Sequence, residues 1–362
     1  MIKTYPPIWI IRCISSIRLF LLNIQSRLVP SYIYVFELNQ QYWLSRAINV
    51  AAQLNIAELL KDGVKSIDSL AQETHSHKQS LYRLLRLLSS YGIFKEKPKG
   101  SFINTRFSKA LIEGENSVRN MVMLHSYEFL WRFAGHMEKV VKTGKHESLS
   151  SLGANPFDYL KENKTKFNVF NKAMTESSLM SAHAILSYYP FEKNITIADI
   201  GGGQGLFLSG AMENASNAKG ILFDLKEVVE QNDFSPLIDK YNERFSFVAG
   251  DFFKEIPVVA DVYIMKSIIH DWSEEDSIQI LKNLYKAMPI NSKLLLVESL
   301  TDIGSNIRFS RVMDIMMLTI KSGGKERTME EMLYLLRSAG FEFKRIIATA
   351  TPFSIIESVK TN

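Results

Sequence analysis

The chain has 362 residues, of which 46% are hydrophobic, and it carries a formal net charge of +5 at pH 7. A chain of this length predicts about two domains, each with enough apolar residues to build its own core. The charge is mild and acids and bases are interspersed, so no nucleic-acid partner is expected. The single cysteine, Cys13, excludes an internal disulfide framework and favours a reducing, cytoplasmic compartment.

Residues 1–35 form a basic, apolar N-terminal arm. No acid occurs before Glu37, whereas four bases are spread through the arm: Lys3, Arg12, Arg18 and Arg27. Two arginines interrupt the apolar run, so we expect it to be too short and too charged to span a bilayer. It also lacks a small-residue cleavage site, so no cleaved secretory leader is expected. Two interpretations remain open. We favour an arm packed on a partner subunit over a surface helix in which residues 1–30 make weak contact with an anionic membrane.

Residues 36–113 combine helical patterns with a short hairpin. Helices are predicted from Leu44 to Leu60, over 66–71 and over 79–88, and strand-like segments 91–94 and 102–105 flank a turn over 95–100. This winged-helix layout is typical of DNA-binding domains. Because leucines cover a wide face of helix 79–88, we instead predict a mostly α dimerisation domain of a homodimer. A winged-helix transcriptional regulator is the remote alternative.

The remainder of the chain changes from helical to alternating patterns. Residues 114–190 are predicted as helices with loops between them. Beyond residue 191, strand patterns alternate with helical ones at 195–200, 219–224, 245–248, 260–265 and 293–298, with a last pair near 342–348 and 353–357. Such alternation predicts a mostly parallel sheet with helices on both faces. The fold class is therefore α/β, with a Rossmann-like, doubly wound domain over residues 191–362.

The most informative motif is Asp199-Ile-Gly-Gly-Gly-Gln-Gly205, in which a buried strand opens into a very tight turn. The last glycine comes one residue too early for the dinucleotide fingerprint, and no P-loop lysine follows. Asp224 ends the next strand, within plausible reach of ribose hydroxyls. These features favour S-adenosylmethionine, a nucleoside cofactor without phosphate, over a dinucleotide. A turn that binds nothing is the structural alternative.

A second polar cluster follows strand 260–265. Lys266, His270 and Asp271 precede a helix whose first residues are Ser273-Glu-Glu-Asp, and Ser273 is a suitable N-cap. His270 is thus expected at the sheet's carboxyl edge, where an imidazole can accept a proton from a phenol or similar nucleophile. A structural histidine is the alternative.

Two glutamates favour the catalytic interpretation of that histidine. Glu298 ends the next strand, and Glu326 lies in a loop before another helix. A carboxylate bonded to one imidazole nitrogen fixes the tautomer and stabilises the imidazolium. We therefore predict a cluster of His270, Glu298 and Glu326. The isolated pair His75 and His77 is not expected to bind a metal, and no metal site is predicted.

Five motifs occur in order: 199–205, Phe223-Asp-Leu225, Gly250-Asp-Phe-Phe253, His270-Asp-Trp272 and Gly324-Lys-Glu-Arg-Thr328. With them, the chain resembles the plant-type small-molecule O-methyltransferases, the group that includes caffeate, isoflavone and acetylserotonin O-methyltransferases. The resemblance runs from about residue 40 to residue 360. It implies an S-adenosylmethionine-dependent O-methyltransferase whose N-terminal domain forms a homodimer. Lys226 replaces the family's usual proline, and the first 35 residues have no clear counterpart.

The resemblance also implies roles by position. Gly201, Gly203 and Gly205, next to Asp199, would line the methionine part of the cofactor. Asp224, beside Leu225, would hold the ribose hydroxyls, Asp251 and Phe252 the adenine, and Lys266 the polar end. His270 would be the general base, flanked by Glu298 and Glu326. The acceptor pocket would be shaped by the linker 114–190 and by Trp131, Met174, Asp271, Asp314 and Met317.

We therefore predict methyl transfer to a hydroxyl of a small aromatic or polyketide-like acceptor. The acceptor-lining segments resemble the family least, so the acceptor itself is not predicted. The alternative is an enzyme of the same fold that uses bound S-adenosylmethionine for hydroxylation, decarboxylation or ring closure.

Overall fold

The structure is a computed structural model that describes residues 6–114, 116–144, 164–231, 233–303, 307–320 and 323–361. The chain divides into two compact units. One comprises residues 1–17, 133–151 and 178–362, and the other comprises residues 18–132 and 152–177. Part of the predicted linker, residues 145–163, and the first five residues of the arm lie outside the described residues.

The smaller unit is helical with a short antiparallel sheet. Its elements are α2 (Ser31–Gln53), α3 (Ile56–Leu59), β1 (Lys65–Ser66), α4 (Ile67–Glu73), α5 (Lys78–Ser90), β2 (Phe94–Lys97), β3 (Ser101–Asn104), a 3₁₀ turn (Ser108–Leu111) and α6 (Arg119–Leu124). Leu81, Leu85 and Leu88 recur on one face of α5 and are buried in the core with residues of α2, α3 and α4. The predicted helices and wing are therefore present.

The wing differs from the prediction in the length of its turn. Strand β2 continues through Lys95, Glu96 and Lys97, which pair with β3, so the turn is confined to residues 98–100. The sequence interpretation assigned 95–100 to the turn because this stretch is charged and contains proline and glycine. Strand β2 has exposed positions, however, and such positions accept charged side chains.

Helix α1 (Ile8–Arg27) corrects the interpretation of the arm. By length and composition alone it can cross a membrane, since the mean hydropathy of its most apolar window is 1.4 despite two arginines. The argument that length and charge exclude a span therefore does not hold, and the expectation that the arm is not a secretory leader stays a prediction. None of the 20 residues of α1, all of them described, is buried. Its apolar side chains are exposed, for example Trp9 at 68% and Phe20 at 63%.

Four further helices follow α6 along the chain. They are α7 (Glu128–Gly135), α8 (Met137–Thr143) and α9 (Lys164–Leu186), followed within the larger unit by α10 (Leu206–Asn214). The division between the units falls inside α1, α7 and α9. In the smaller unit the carboxylate of Glu176 accepts hydrogen bonds from the backbone N–H of Asn120 (3.2 Å) and Met121 (3.0 Å), which fixes α9 to the start of α6.

The larger unit is built on one seven-stranded sheet. Its strands are β4 (Thr196–Ile200), β5 (Lys219–Asp224), β6 (Phe245–Ala249), β7 (Val262–Lys266), β8 (Lys293–Ser299), β9 (Glu342–Ala348) and β10 (Phe353–Val359), in the order β6-β5-β4-β7-β8-β10-β9. The first five are parallel, and β10 lies antiparallel between β8 and β9. All seven strands agree with the sequence prediction to within two residues at each end. The doubly wound α/β fold is confirmed.

Helices cover both faces of this sheet. The remaining ones are α11 (Lys226–Gln231), α12 (Ser235–Tyr241), α13 (Glu274–Ala287), α14 (Ile307–Ile320) and α15 (Met329–Ser338). The side chains of successive strand residues point to opposite faces of the sheet, and each face has its own hydrophobic core. Ala198 packs with α13 and α15 on one face, and Ile197 packs with α10 and the end of α9 on the other. Because the central strands are buried on both sides, they appear in the sequence as continuous apolar runs.

Topology determines where the chemistry can lie. The strand order changes direction between β4 and β7, which leaves a crevice at the carboxyl edge, where ligands bind in open α/β sheets. The ends of β4, β5, β7 and β8 carry the glycine turn, Asp224, Lys266 and Glu298 respectively.

The opposite, amino edge of the sheet is closed by polar contacts. The backbone N–H of Thr196 donates to the Asp261 carboxylate at 2.7 Å, and Lys293 pairs with Glu192 at 2.6 Å. These contacts join β4, β7 and β8 where those strands begin.

Candidate active site

His270 lies on a short, well-defined connection between strand β7 and helix α13. After Lys266 the backbone turns at Ser267, which has a φ of +54°, and a 3₁₀ turn follows over Ile269–Asp271. Helix α13 then begins at its N-cap Ser273, whose hydroxyl accepts the N–H of Asp276 at 3.1 Å, as the sequence predicted. The imidazole is therefore carried by a loop anchored at both ends.

The imidazole is held by a buried carboxylate. His270 Nδ1 lies 2.8 Å from Glu326 Oε1, and the side chain of Glu326 is only 2% exposed. On the other side of the ring, Nε2 lies 3.8 Å from Asp271 Oδ1. A hydrogen bond from Nδ1–H to Glu326 leaves Nε2 as the nitrogen able to exchange a proton.

Glu298 supports the same loop from strand β8. Its Oε1 accepts the backbone N–H groups of Ile268 (3.1 Å) and Ile269 (2.9 Å), and the residue is 1% exposed. Its Oε2 is also buried and has no hydrogen-bond partner among the described residues. The structure therefore brings together the three residues predicted as a cluster, Glu298 beneath the loop and Glu326 beside the ring.

Burial and charge shift the pKa values in this cluster strongly. Burial lowers the pKa of His270, but the hydrogen bond to Glu326 and the charges of Glu298 and Asp271 outweigh it and raise that pKa to about 9. Burial raises the pKa of Glu298 to about 7, against the opposing effect of the His270 charge. These shifts favour the charged form of the pair at neutral pH, an imidazolium hydrogen-bonded to Glu326.

Ligand atoms of His270, Glu298 and Glu326 lie within 4.8 Å of one another, a spacing that a metal ion can also bridge. Ligand atoms of all three residues already form hydrogen bonds, however. The Nδ1 of His270 is bonded to Glu326, and Oε1 of Glu298 accepts two backbone N–H groups. A hydrogen-bonded acid–base pair accounts for the arrangement without an ion.

Asp314 and Arg327 hold the Glu326 loop in place, and the sequence did not predict this role for either residue. Asp314, expected to line the acceptor pocket, accepts the backbone N–H of Glu326 at 3.1 Å. Arg327, to which no role was given, is buried and donates to backbone carbonyls of the His270 loop. Its position inside the motif 324–328, between a catalytic candidate and the N-cap Thr328, was the available signal.

The glycine turn is an open cradle above the sheet. Gly201, Gly203 and Gly205 all have φ values between +57° and +74°. At Gly201 a Cβ would come within 2.5 Å of Ile268 Cδ1, whereas at Gly203 a Cβ would meet nothing within 4 Å. The turn thus needs glycine for its conformation, and it leaves free space over Gly203 for a bound molecule.

Acidic groups surround this cradle. Asp224 accepts the N–H of Gly203 at 2.8 Å and that of Leu225 at 2.7 Å, and burial raises its pKa. Asp199 is buried, which raises its pKa to about 7, and its Oδ2 has no hydrogen-bond partner among the described residues. A buried carboxylate oxygen without a donor is the group that a cofactor ammonium or hydroxyl would satisfy.

The other predicted cofactor residues border the same edge. Burial lowers the pKa of Lys266, against the charges of Asp199 and Glu298, and its ammonium lies over the ring of Phe353. Asp251 accepts the N–H of Phe253 at 2.9 Å, so the turn after β6 is rigid. The adjacent Phe252 packs edge-on against Trp272, with ring centroids 5.9 Å apart. Asn283 of α13 also fixes this turn by donating to the carbonyl of Phe252 at 2.9 Å.

The predicted acceptor residues fall in both units. Asp271, Asp314 and Met317 belong to the larger unit, where Met317 lies on α14 and is partly buried. Trp131 and Met174 belong to the smaller unit. There the Trp131 ring meets Tyr42 edge-on at 4.9 Å, and its buried Nε1 has no hydrogen-bond partner among the described residues. Met174 is 39% exposed on α9.

Comparison with known proteins assigns both parts of the chain. Residues 134–342 match the family model of the O-methyltransferase domain, and residues 36–114 match that of the O-methyltransferase dimerisation domain. The second match confirms that the winged-helix-like region serves dimerisation, as its leucine-rich helix predicted.

Curated relatives and a solved structure agree with these matches. The chain is 34% identical to the phenazine O-methyltransferase PhzM of Lysobacter antibioticus, over 93% of this chain and 98% of that protein. It is 29% identical to the phenazine-1-carboxylate N-methyltransferase of Pseudomonas aeruginosa, over 84% and 90% of the two chains. The structure of CalO1, a methyltransferase of calicheamicin biosynthesis with S-adenosylhomocysteine bound, superposes with a TM-score of 0.81 at 27% identity, over 91% of this chain and 98% of that one.

An open glycine turn lies at the same edge of the sheet as a histidine bonded to a carboxylate. The turn fits S-adenosylmethionine, and the histidine can accept a proton. Together with the two family matches, this geometry shows that the chain belongs to the O-methyltransferase family and is an S-adenosylmethionine-dependent O-methyltransferase with its own dimerisation domain.

Proposed function

We propose that the enzyme methylates a hydroxyl of a small aromatic or polyketide-like acceptor, with His270 as the general base. The observation that carries this proposal is the pair formed by His270 and Glu326 at 2.8 Å, supported by Glu298 at the carboxyl edge of the sheet. The names of the phenazine relatives support an aromatic acceptor.

S-adenosylmethionine supplies an activated methyl group on a sulfonium, so the protein has mainly to align two bound molecules. Alignment of this kind contributes roughly 7–11 kcal/mol. As the acceptor oxygen forms its bond to the methyl carbon, the carbon–sulfur bond breaks and its electron pair stays on sulfur. His270 Nε2 takes the proton of the hydroxyl, and Glu326 stabilises the resulting imidazolium through Nδ1–H.

The raised pKa of His270 adds a requirement to this mechanism. An imidazolium cannot accept a proton, and a pKa of about 9 favours the protonated form of His270 in the free enzyme at neutral pH. The proton must leave before the hydroxyl can be deprotonated. A cationic sulfonium bound at the neighbouring cradle favours the neutral imidazole, because like charges repel.

We propose that the cradle and the strand ends hold the cofactor as the resemblance implies. Gly201, Gly203 and Gly205 would contact the methionine part, beside the unsatisfied carboxylate of Asp199. Asp224 and Leu225 would hold the ribose, Asp251 and Phe252 the adenine, and Lys266 the polar end. The open space at Gly203 and the orphan oxygen of Asp199 support these assignments.

Gly201→Ala tests the cradle. A left-handed conformation costs an alanine about 1–2 kcal/mol, and the new Cβ would lie 2.5 Å from Ile268 Cδ1. We expect the affinity for S-adenosylhomocysteine, measured by titration calorimetry, to fall roughly tenfold or more. Gly135→Ala is the matched control, since a Cβ there meets nothing within 4 Å and its φ is not positive. Equal affinity in the two variants would contradict the assignment.

His270→Ala tests the base. Loss of a general base lowers turnover by about 10²–10⁴-fold, and the cradle does not depend on the imidazole. We therefore expect turnover to fall by this factor while S-adenosylhomocysteine still binds. Turnover is read as S-adenosylhomocysteine formed with a panel of phenols, and His77→Ala serves as the control. Near-normal turnover in His270→Ala would remove His270 as the base.

The same assay separates methyl transfer from its alternatives. Hydroxylation, decarboxylation or ring closure by an enzyme of this fold would convert the acceptor without stoichiometric S-adenosylhomocysteine. A nitrogen acceptor is the second candidate, favoured by the relative named as an N-methyltransferase. Labelled methyl donor incubated with metabolite extracts distinguishes an O-methyl from an N-methyl product. We propose that Asp271, Asp314 and Met317, all in the larger unit, line the acceptor side of the site and influence this choice.

Glu326→Gln tests the electrostatics of the pair through pH. Glu326 raises the pKa of His270 by its hydrogen bond and its charge, so removing the charge must lower that pKa. The base is active when neutral, and the acid limb of kcat/KM therefore moves to lower pH. Maximal turnover falls between about 10- and 10⁴-fold, because the imidazolium loses its partner. Glu330→Gln, an exposed neighbour on α15, should leave the limb in place. A limb that stays fixed in Glu326→Gln would contradict the coupling.

We also propose that α1 and the first half of α2 contribute to the homodimer. Phe36 and Trp43 of α2 are 61% and 67% exposed and lie within the dimerisation domain. Tyr32, on the same helix before that domain begins, is 74% exposed, and exposed apolar residues continue into α1. Apolar surface of this kind is rarely left in water, and its continuity with the dimerisation domain favours a second copy over a membrane.

Deletion of residues 1–30 tests this arm. Because the deletion removes apolar contacts between the protomers, sedimentation velocity should show monomer at concentrations where the full chain is dimeric. Circular dichroism checks that the shortened chain is folded. An unchanged dimer would refute the arm. Loss of the full chain's binding to vesicles containing phosphatidylserine, with the dimer intact, would assign α1 to the membrane surface instead.

A further inference from the structure

Arg327 connects the two loops that carry the acid–base pair. The residue is 5% exposed and follows Glu326 directly. Its Nη1 donates to the carbonyl of Ile269 at 2.7 Å, and its Nη2 donates to the carbonyl of Trp272 at 2.8 Å. These two carbonyls bracket His270. Nη2 also lies 3.2 Å from Ser277 Oγ, in the first turns of α13.

This pattern requires a guanidinium. Its planar fork presents several donors in fixed directions, so one side chain can bond two carbonyls and a hydroxyl at once. A lysine ammonium has the same charge but is a compact group without the fork. Ile269 is the first residue of the 3₁₀ turn and Trp272 is its C-cap. Because the fork bonds the carbonyls of both, it fixes the turn's conformation as well as its position.

The charge of Arg327 also belongs to the site. A buried guanidinium is costly unless acids surround it, and Glu298 and Glu326 are among the acids that stabilise its charged form. Arg327 in turn offsets the cost of holding two buried carboxylates near one imidazole. The electrostatic stabilisation is thus mutual between Arg327 and the two glutamates.

Other contacts between the loops come from the backbone or from another helix. The N–H of Lys325 donates to the carbonyl of His270 at 2.8 Å, and Asp314 accepts the N–H of Glu326. These contacts hold the Glu326 loop at single points. Arg327 contacts the His270 loop on both sides of the imidazole.

We propose that Arg327 is a positioning residue for methyl transfer, which sets the distance and angle between His270 and Glu326 by locking the 3₁₀ turn to the 323–328 loop. The proposal rests on the proposed role of His270 as the base. It concerns turnover and not cofactor binding, because the residues contacted by Arg327 lie outside the glycine cradle.

The test compares Arg327→Lys, Arg327→Met and Arg337→Met. Arg337, in the last turn of α15, is exposed and provides a matched loss of charge. A displacement near 1 Å can cost about 10²-fold in rate, so we expect kcat to fall about 10- to 100-fold in both Arg327 variants. The affinity for S-adenosylhomocysteine and the KM for S-adenosylmethionine should stay within about threefold. The control should resemble the parent enzyme.

Two readouts separate positioning from a general loss of structure. The proton on His270 Nδ1, bonded to a carboxylate, should give a downfield NMR resonance that the Arg327 variants lose or shift and the control keeps. Arg327→Lys combined with Glu326→Gln should be little slower than the slower single variant, since both act through one pair.

Parent-like kcat in Arg327→Lys, an unmoved resonance or fully additive effects would overturn the proposal. If Arg327→Met does not fold, Arg327→Lys, which keeps the charge, carries the test. Failure of the proposed function is distinguishable, because it would appear as normal turnover in His270→Ala.

Discussion

The hydrogen bond between His270 Nδ1 and Glu326 Oε1 is the contact on which the site depends. Glu326 is almost fully buried, and a carboxylate in such a place is tolerated only with a charged or strongly donating partner. That partner is an imidazole whose second nitrogen remains available for proton transfer. The requirement fixes the ring orientation, the tautomer and the route of the 323–328 loop. The loop in turn determines where α15 begins, since Thr328 is its N-cap and forms a capping box with Glu331.

Charge balance extends this constraint over the carboxyl edge. Asp199, Glu298 and Glu326 are buried acids, and His270, Lys266 and Arg327 are the bases near them. Burial raises the pKa of Asp199 and of Glu298 to about 7, so neither carboxylate is strongly stabilised in the ionised form. A binding site with these properties responds to the arrival of a cation. The sulfonium charge of S-adenosylmethionine, which S-adenosylhomocysteine lacks, would be such a cation.

Much of this arrangement follows from local sequence rules. Parallel strands buried on both faces give continuous apolar runs, so all seven strands were predictable, and the rule that ligands bind beyond their carboxyl ends brought the glycine turn and His270 to one edge. Glu326 was predicted from its place in a loop before a helix, but nothing local in the sequence showed that Glu326, and not Glu298, bonds the imidazole. The contacts of Arg327 and of Asp314 were missed because both join residues from different loops or helices, and such tertiary distances cannot be read from local sequence. The length of the hairpin turn was wrong because charge was taken as a sign of a turn, whereas exposed strand positions accept charged side chains. For α1, two arginines were taken to exclude a bilayer span, whereas a helix of 20 residues stays apolar enough in spite of them.

The amino edge of the large sheet has a different character. Its pairs, Asp261 with the Thr196 backbone and Lys293 with Glu192, join strands at their starts, and the residues proposed for cofactor or proton transfer are at the far ends of those strands. Strands of five to seven residues separate the two edges, about 17–24 Å of extended chain. A fluorophore or a surface linker attached beside Glu192 would therefore label or immobilise the enzyme at the sheet edge opposite the proposed active site.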